Sequence, residues 1–192
     1  ETVRKLIVQQ WISADGFATD SHGTTSFFES PKYNEGWQQD ELELFKNIDL
    51  IILGANTYKM FVDYWPDAKP EEEAVAPFIN STKKLVFSRS LHKAPWGSWE
   101  PAEVSDDNAV RHIKHLKETA GKDMILRGSL SLCKALAHKN LPDEYHLTIA
   151  PAFVGSGRHF LPDDEEWNDM ELISSKAYPS GVVCIVYKPR AK

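Results

Sequence analysis

Cysteine is scarce in this chain: Cys133 and Cys184 are the only two among 192 residues, and neither belongs to a C-x-x-C pair. That scarcity excludes a disulfide scaffold and the paired-thiol zinc and redox motifs, and it leaves both side chains as small buried hydrophobes. Positive charge is in short supply as well. Lys and Arg number 22 against 28 Asp and Glu, a net charge of -6, and no basic block compensates, so nucleic acid is excluded as a partner. Long apolar runs are missing too. Residues 50–53 form one of the longest, far short of the roughly 20 needed to cross a bilayer, so no membrane partner is expected. The opening Glu1-Thr2-Val3-Arg4 leads into a strand-like run without a basic leader or cleavage site, which makes a cytoplasmic protein the simplest expectation.

What remains is an ordinary globular composition, 42% hydrophobic and 26% charged. A chain of this size buries roughly 70% of its unfolded surface on folding, so residues 1–192 are expected to form one domain without covalent staples.

Hydrophobic patterning orders the elements. Residues 5–12 predict a strand, stopped by the Asp15-Gly16 turn. After a long polar and aromatic loop over 17–37, a short helix with Asp40 and Glu41 in its first turn is expected to reach residue 45. Residues 50–53 read as a strand covered on both faces and ended by Gly54, with Asn56 or Thr57 capping a helix to Phe61. A weaker helix over 74–80 and a strand over 84–88 follow. Val110, Ile113 and Leu116 then mark a helix with its cap near Ser105 or Asp106. A strand over 124–126 runs into Gly128-Ser129 and a helix carrying Leu132, Cys133 and Leu136. Such alternation predicts a parallel sheet with helices on both faces. Between the strands expected over 171–178 and 182–187 only Pro179-Ser180-Gly181 intervenes, too short for a parallel crossover. The expected fold class is therefore α/β: a mixed, mainly parallel sheet with flanking helices and a C-terminal antiparallel hairpin.

Ligands in open α/β sheets bind beyond the carboxyl ends of strands, where helix N-termini offer free N–H groups. Three such ends carry suitable residues: Gly54-Ala55-Asn56-Thr57, Ser88-Arg89-Ser90 and Gly128-Ser129-Leu130-Ser131. Each has a bland reading, the glycines as tight turns, Ser129 as an N-cap and Arg89 as a surface charge. Together they outline a phosphate-bearing ligand, with a guanidinium between two hydroxyls suited to a phosphate monoester. Gly155-Ser156-Gly157 has no helix behind it and fails as a dinucleotide fingerprint. His112 and His115 stand at i, i+3 with nothing to complete a metal site, so they read as solvated helix residues and no metal is expected. Aromatic residues crowd the first third of the chain. A pocket walled by Trp11, Asp15, Phe28, Trp37, Thr57 and Phe61 would suit a flat heterocycle. Asp15, Asp40 and Glu41 are the candidate proton donors, each with a competing role in a turn or at a helix start.

At these residues the sequence resembles the dihydrofolate reductase-like superfamily, in particular the C-terminal reductase domain of the riboflavin-biosynthesis deaminase-reductase and its stand-alone relatives. The carriers are Ser13-Ala14-Asp15-Gly16-Phe17, Leu53-Gly54-Ala55-Asn56-Thr57-Tyr58, Ser88-Arg89-Ser90-Leu91, Gly128-Ser129-Leu130, Leu141-Pro142-Asp143-Glu144-Tyr145 and Gly155-Ser156-Gly157. The resemblance implies NADPH lying across the strand ends, with Gly128-Ser129 on its diphosphate, Ser88-Arg89-Ser90 near its 2'-phosphate and Thr57 beside it. It also implies a homodimer. Where relatives often carry Gly-Arg, this chain has Gly54-Ala55-Asn56, a lost cation that bears on the preference for NADPH over NADH. No deaminase signature is present, so a stand-alone reductase of a pyrimidine or pteridine is expected. Two rivals stand beside it: a nucleotide-binding protein without turnover and a true dihydrofolate reductase.

Overall fold

Strands rich in Ile, Leu and Val, covered on both faces, form the middle of the molecule. The computed structural model describes residues 3–163 and 167–191. Its first half runs β1 (Leu6–Ser13), β2 (Thr19–Asp20), α1 (Trp37–Phe45), β3 (Ile48–Gly54), α2 (Ala55–Val62), α3 (Ala76–Ser81), β4 (Lys83–Phe87), β5 (Ala94–Trp96) and β6 (Trp99–Ser105). Then follow α4 (Ala109–Lys117), β7 (Asp123–Leu126), α5 (Leu130–His138), β8 (Glu144–Ala150), β9 (Gly157–Arg158), β10 (Met170–Ala177) and β11 (Val183–Pro189). Among the described residues nine strands make one sheet in the order β10-β11-β8-β1-β7-β3-β4-β6-β5. The pairs from β8 through β6 are parallel, whereas β11 runs antiparallel to both β8 and β10.

Alternation along β1 assigns the two layers. Leu6, Val8 and Ile12 pack with Ile113 of α4 and Leu132 and Leu136 of α5. Ile7 faces the other way, onto a cluster holding Phe45 of α1, Tyr58 of α2 and Ile79 of α3. A third cluster joins Tyr33, Trp37, Tyr178 and Val182, with Trp11 and Phe28 packed against it. The outermost strand is different: side chains along β10 are nearly all exposed, Leu172 and Ile173 included.

Several boundaries depart from the sequence reading, for local reasons. Helix α1 begins at Trp37, after Gly36 with a positive φ of 76°, which puts Asp40 in its first turn as read and Glu41 just beyond it. Helix α2 follows β3 without a gap and has Gly54 as its N-cap, so neither Asn56 nor Thr57 caps it. Asn108, not Ser105 or Asp106, caps α4, its side chain accepting from Arg111 N at 3.1 Å. The β5–β6 hairpin has no clear signature in the sequence. Pro95 and Pro101 obscure it; Pro95 is tolerated on the edge strand β5, and Pro101 lies before the β4 pairing of β6 begins at Glu103 and beside the register shift with β5. His112 is half-buried with its ring edge-on to Phe87, and Cys184 is half-buried rather than fully buried.

Lys84 is a charged side chain inside the core. Lys84 is buried beneath the Trp96 ring and donates to the carbonyl oxygens of Asn80 and Thr82 at 2.9 and 2.7 Å. Burial pulls its pKa down to about 8. Among the described residues no helix is long and apolar enough to cross a membrane.

Candidate functional site

A cavity of 510 Å3 opens at the strand ends of β3, β4 and β6, and its wall contains Gly54, Asn108 and Ser129. These are the N-caps of α2, α4 and α5, so three helix N-termini converge on one space. Each carries roughly half a positive charge from the aligned peptide dipoles, and α2 has no side chain capping it. Ser88, Ser131 and Arg89 add two hydroxyls and a guanidinium. Ser88 Oγ accepts from the N–H groups of Ser90 and Leu91 at 3.2 and 3.1 Å, which fixes the turn carrying Arg89. Asp106 and Asp107 also line the wall, and Asp107 is paired with Arg111.

Two glycines make this cavity possible. A Cβ on Gly54 would stand 2.8 Å from Cβ of Ser129, so only glycine lets α5 start against the end of β3. Gly128 has φ of +108°, and a Cβ there would meet Thr57 Oγ1 at 2.7 Å. Thr57 is buried at that contact. Leu130 turns into the core on the α4–α5 side. The volume and the donor set fit an anionic dinucleotide, since such ligand sites run to roughly 300–1,000 Å3 and helix N-termini bind phosphates.

A second cavity of 350 Å3 lies between α1 and strands β1, β8, β10 and β11. At its inner end Glu41, only 4% exposed, accepts from the Arg127 guanidinium. Arg127 Nε donates to Gln9 Oε1 at 2.6 Å, and the guanidinium lies over the Phe45 ring. Burial pushes the Glu41 carboxyl above its usual range, against the pull of Arg127. Nearer the surface, Asp40 Oδ2 accepts from Lys176 Nζ at 2.7 Å and Tyr178 Oη at 2.5 Å, which holds its pKa below the usual value. The Tyr178 hydroxyl is pushed up by burial and by that same bond. Beside this cavity Trp11 stacks on Phe28 at 5.3 Å and meets Trp37 edge-on at 5.1 Å. The two cavities share one stretch of backbone. Arg127 points to the second, while Ser129, two residues on, lines the first.

Of the residues singled out from sequence, Gly54, Asn56, Ser88, Arg89, Ser129 and Ser131 line the first cavity. Trp37, Asp40 and Glu41 line the second, with Trp11 and Phe28 packed alongside. Asp15 lines neither. It accepts from Ser13 Oγ and from the N–H groups of Val154 and Gly155, tying two loops together, and these bonds hold its pKa down. Phe61 packs on Trp65 in the cluster of α2 and α3. Sequence reasoning missed Gln9, Arg127, Lys176 and Tyr178, and the stretch from Ser105 to Asn108. Among the described residues, no group of three or more His, Cys, Asp or Glu is placed to hold a metal ion.

Comparison with known proteins gives a consistent picture. The sequence matches the RibD C-terminal domain family over residues 4–184. It is 26% identical over 186 residues to the uncharacterized protein YyaP of Bacillus subtilis strain 168, covering 96% of this chain and 94% of that protein. A putative riboflavin biosynthesis protein from Shewanella sp. PV-4 has the same fold, with a TM-score of 0.78 at 19% identity over 97% of this chain and 99% of that one. Dihydrofolate reductase from Enterococcus faecalis, complexed with NADP(H), aligns with a TM-score of 0.61 at 14% identity, covering 97% of each chain. The fold is dihydrofolate reductase-like.

Proposed function

The chain belongs to the RibD C-terminal domain family, and from that premise we propose that it is a reductase moving a hydride from NADPH to a small planar heterocycle of the pyrimidine or pteridine type. The observation that carries this reading is the convergence of three helix N-termini, two serines and Arg89 on one cavity. When bound, the dinucleotide supplies the hydride. The chain's own residues hold it. The N–H groups beginning α2 and α5 meet the diphosphate, and Arg89, fixed by the Ser88 turn, meets the 2'-phosphate. Ser90 and Leu130 lie within these turns, and Thr57 supports Gly128 from behind.

The second cavity takes the heterocycle, with Trp37 and the adjoining Trp11 and Phe28 as its aromatic side and Gln9 and Glu41 as its polar end. Of the three candidate acids only Glu41 has its proton affinity raised; Asp15 and Asp40 are held ionised by their neighbours. A dihydrofolate substrate needs a buried carboxylate open to its pterin ring. Glu41 is already bound to Arg127, which favours the pyrimidine class. A second copy of the chain covers the exposed β10 edge, giving a homodimer.

NADPH oxidation measured against a panel of pyrimidine and pteridine intermediates tests the reading. Turnover of a pyrimidine is expected. NADPH binding without turnover of any heterocycle leaves a nucleotide-binding protein in its place. A mass near 21.8 kDa in light scattering would remove the dimer.

A further inference from the structure

Resting on the reading of the first cavity as a dinucleotide site, we propose that Asp106 offsets Arg89 there, so that the protein takes NADH and NADPH with comparable affinity. The two dinucleotides differ by one phosphate on the adenosine ribose, which carries close to two negative charges at neutral pH. Discrimination therefore follows the net charge of the wall that faces it. Three charged side chains line the cavity: Arg89, Asp106 and Asp107. Asp107 is neutralised by Arg111. Arg89 and Asp106 have no ion-pair partner among the described residues, and both are exposed. What is left is one cation against one anion.

Strand register brings the two together. β4 and β6 run parallel with Phe87 opposite Ser105, and Ser88 N donates to Ser105 O at 3.0 Å. Arg89 and Asp106 therefore leave neighbouring strand ends, each one residue beyond that last bond, into the same cavity wall. Ala55, Asn56 and Ser131, elsewhere on the wall, add no charge. A carboxylate at such a position accepts a hydrogen bond from a ribose 2'-hydroxyl and repels a phosphate in its place. Opposed charges at a solvated wall shift affinity by roughly three- to tenfold rather than by orders of magnitude.

The test is binding, not turnover. The full chain is titrated at low ionic strength with NADPH and NADH, followed by tryptophan-to-nicotinamide energy transfer, and with adenosine 2',5'-bisphosphate and 5'-AMP by calorimetry. Wild-type Kd values within each pair are expected to lie within about fivefold. Asp106→Asn should tighten NADPH and the bisphosphate by roughly three- to tenfold while leaving NADH and 5'-AMP within about twofold. Arg89→Ala should weaken only the phosphorylated member of each pair. A wild-type preference for NADPH of about 100-fold or more, or an Asp106→Asn effect equal on both members, overturns the proposal. Binding of all four ligands in the expected ratios without turnover of any heterocycle removes the reductase reading and leaves this one standing. Failure of all four to bind removes both.

Discussion

Around the first cavity, charge is met by peptide dipoles, hydroxyls and exposed side chains that keep their water; at the inner end of the second, Glu41 and Arg127 meet each other out of water. The two arrangements do different work. Helix N-termini are positive without burying an ion, so an anionic ligand can enter and leave with little rearrangement. A buried pair has already satisfied its own charge. It gives the cavity shape and polar edges, and removing either half leaves an ion that cannot be solvated.

The largest effect expected follows from that asymmetry. Glu41→Ala and Arg127→Ala should each lower stability by about 3–5 kcal/mol in urea unfolding, whereas the double change to Leu and Met should be neutral or stabilising. A single-variant loss below about 1 kcal/mol would erase the distinction between the two regions. In the first cavity the cost should fall on the ligand instead. Arg89→Ala is expected to weaken NADPH by roughly three- to tenfold at low ionic strength, with folding stability unchanged in the same urea titration.

Lys84 offers a third case, a buried charge met by two backbone carbonyls and the Trp96 ring, with no carboxylate among the described residues bonded to it. With its pKa pulled down to about 8 from the usual 10.5, the unfolded chain holds a proton between those values that the folded chain has released. Lys84 should therefore contribute a rise of about 2 kcal/mol from pH 8 to pH 10, read in chemical unfolding as the difference between the wild type and Lys84→Met, because the Cys133 thiol, pushed by burial from 9.0 to about 12, contributes a fall over the same interval. Above the usual tyrosine value of 10.0 Tyr145, pushed to about 12 by burial, adds to that fall, because it keeps its proton in the folded state only. A difference between wild type and Lys84→Met that stays flat from pH 8 to 10 would show that the surroundings of Lys84 compensate the charge fully. The smallest effect belongs to a single cap. Ser129→Ala removes the acceptor for Leu132 N and should cost about 1 kcal/mol of thermal or urea stability.

Why one cavity was legible in the sequence and the other largely not follows from how each is built. The first draws on short consecutive runs directly after strands, Gly54 to Thr57, Ser88 to Ser90 and Gly128 to Ser131, so strand, glycine and hydroxyl signals fall together. Its missed part, Ser105 to Asn108, went unread because β6 is polar and contains Pro101, which hid where the strand ends. The central parallel strands and the terminal hairpin were readable for the same local reasons, continuous burial and a three-residue turn. The second cavity is assembled across the chain. Gln9 and Arg127 are 118 positions apart, as are Arg127 and Glu41 by 86, and no local periodicity marks such partners. Asp40 and Glu41 were visible only as a helix start. Their partners Lys176 and Arg127 sit in segments whose own patterns say nothing of charge pairing.

The place of β1 in the sheet has a consequence for how the protein is made. Its neighbours on either side, β7 and β8, are paired from Met124 and Glu144 onward. A ribosome adding about 5–20 residues per second needs several seconds to tens of seconds to deliver them. Through that interval the apolar run LIVQQWIS has left the exit tunnel with neither edge satisfied. Synthesis therefore passes through a stage in which this inner strand stands with both edges open, and slower translation of the segment before β7 should lengthen that stage.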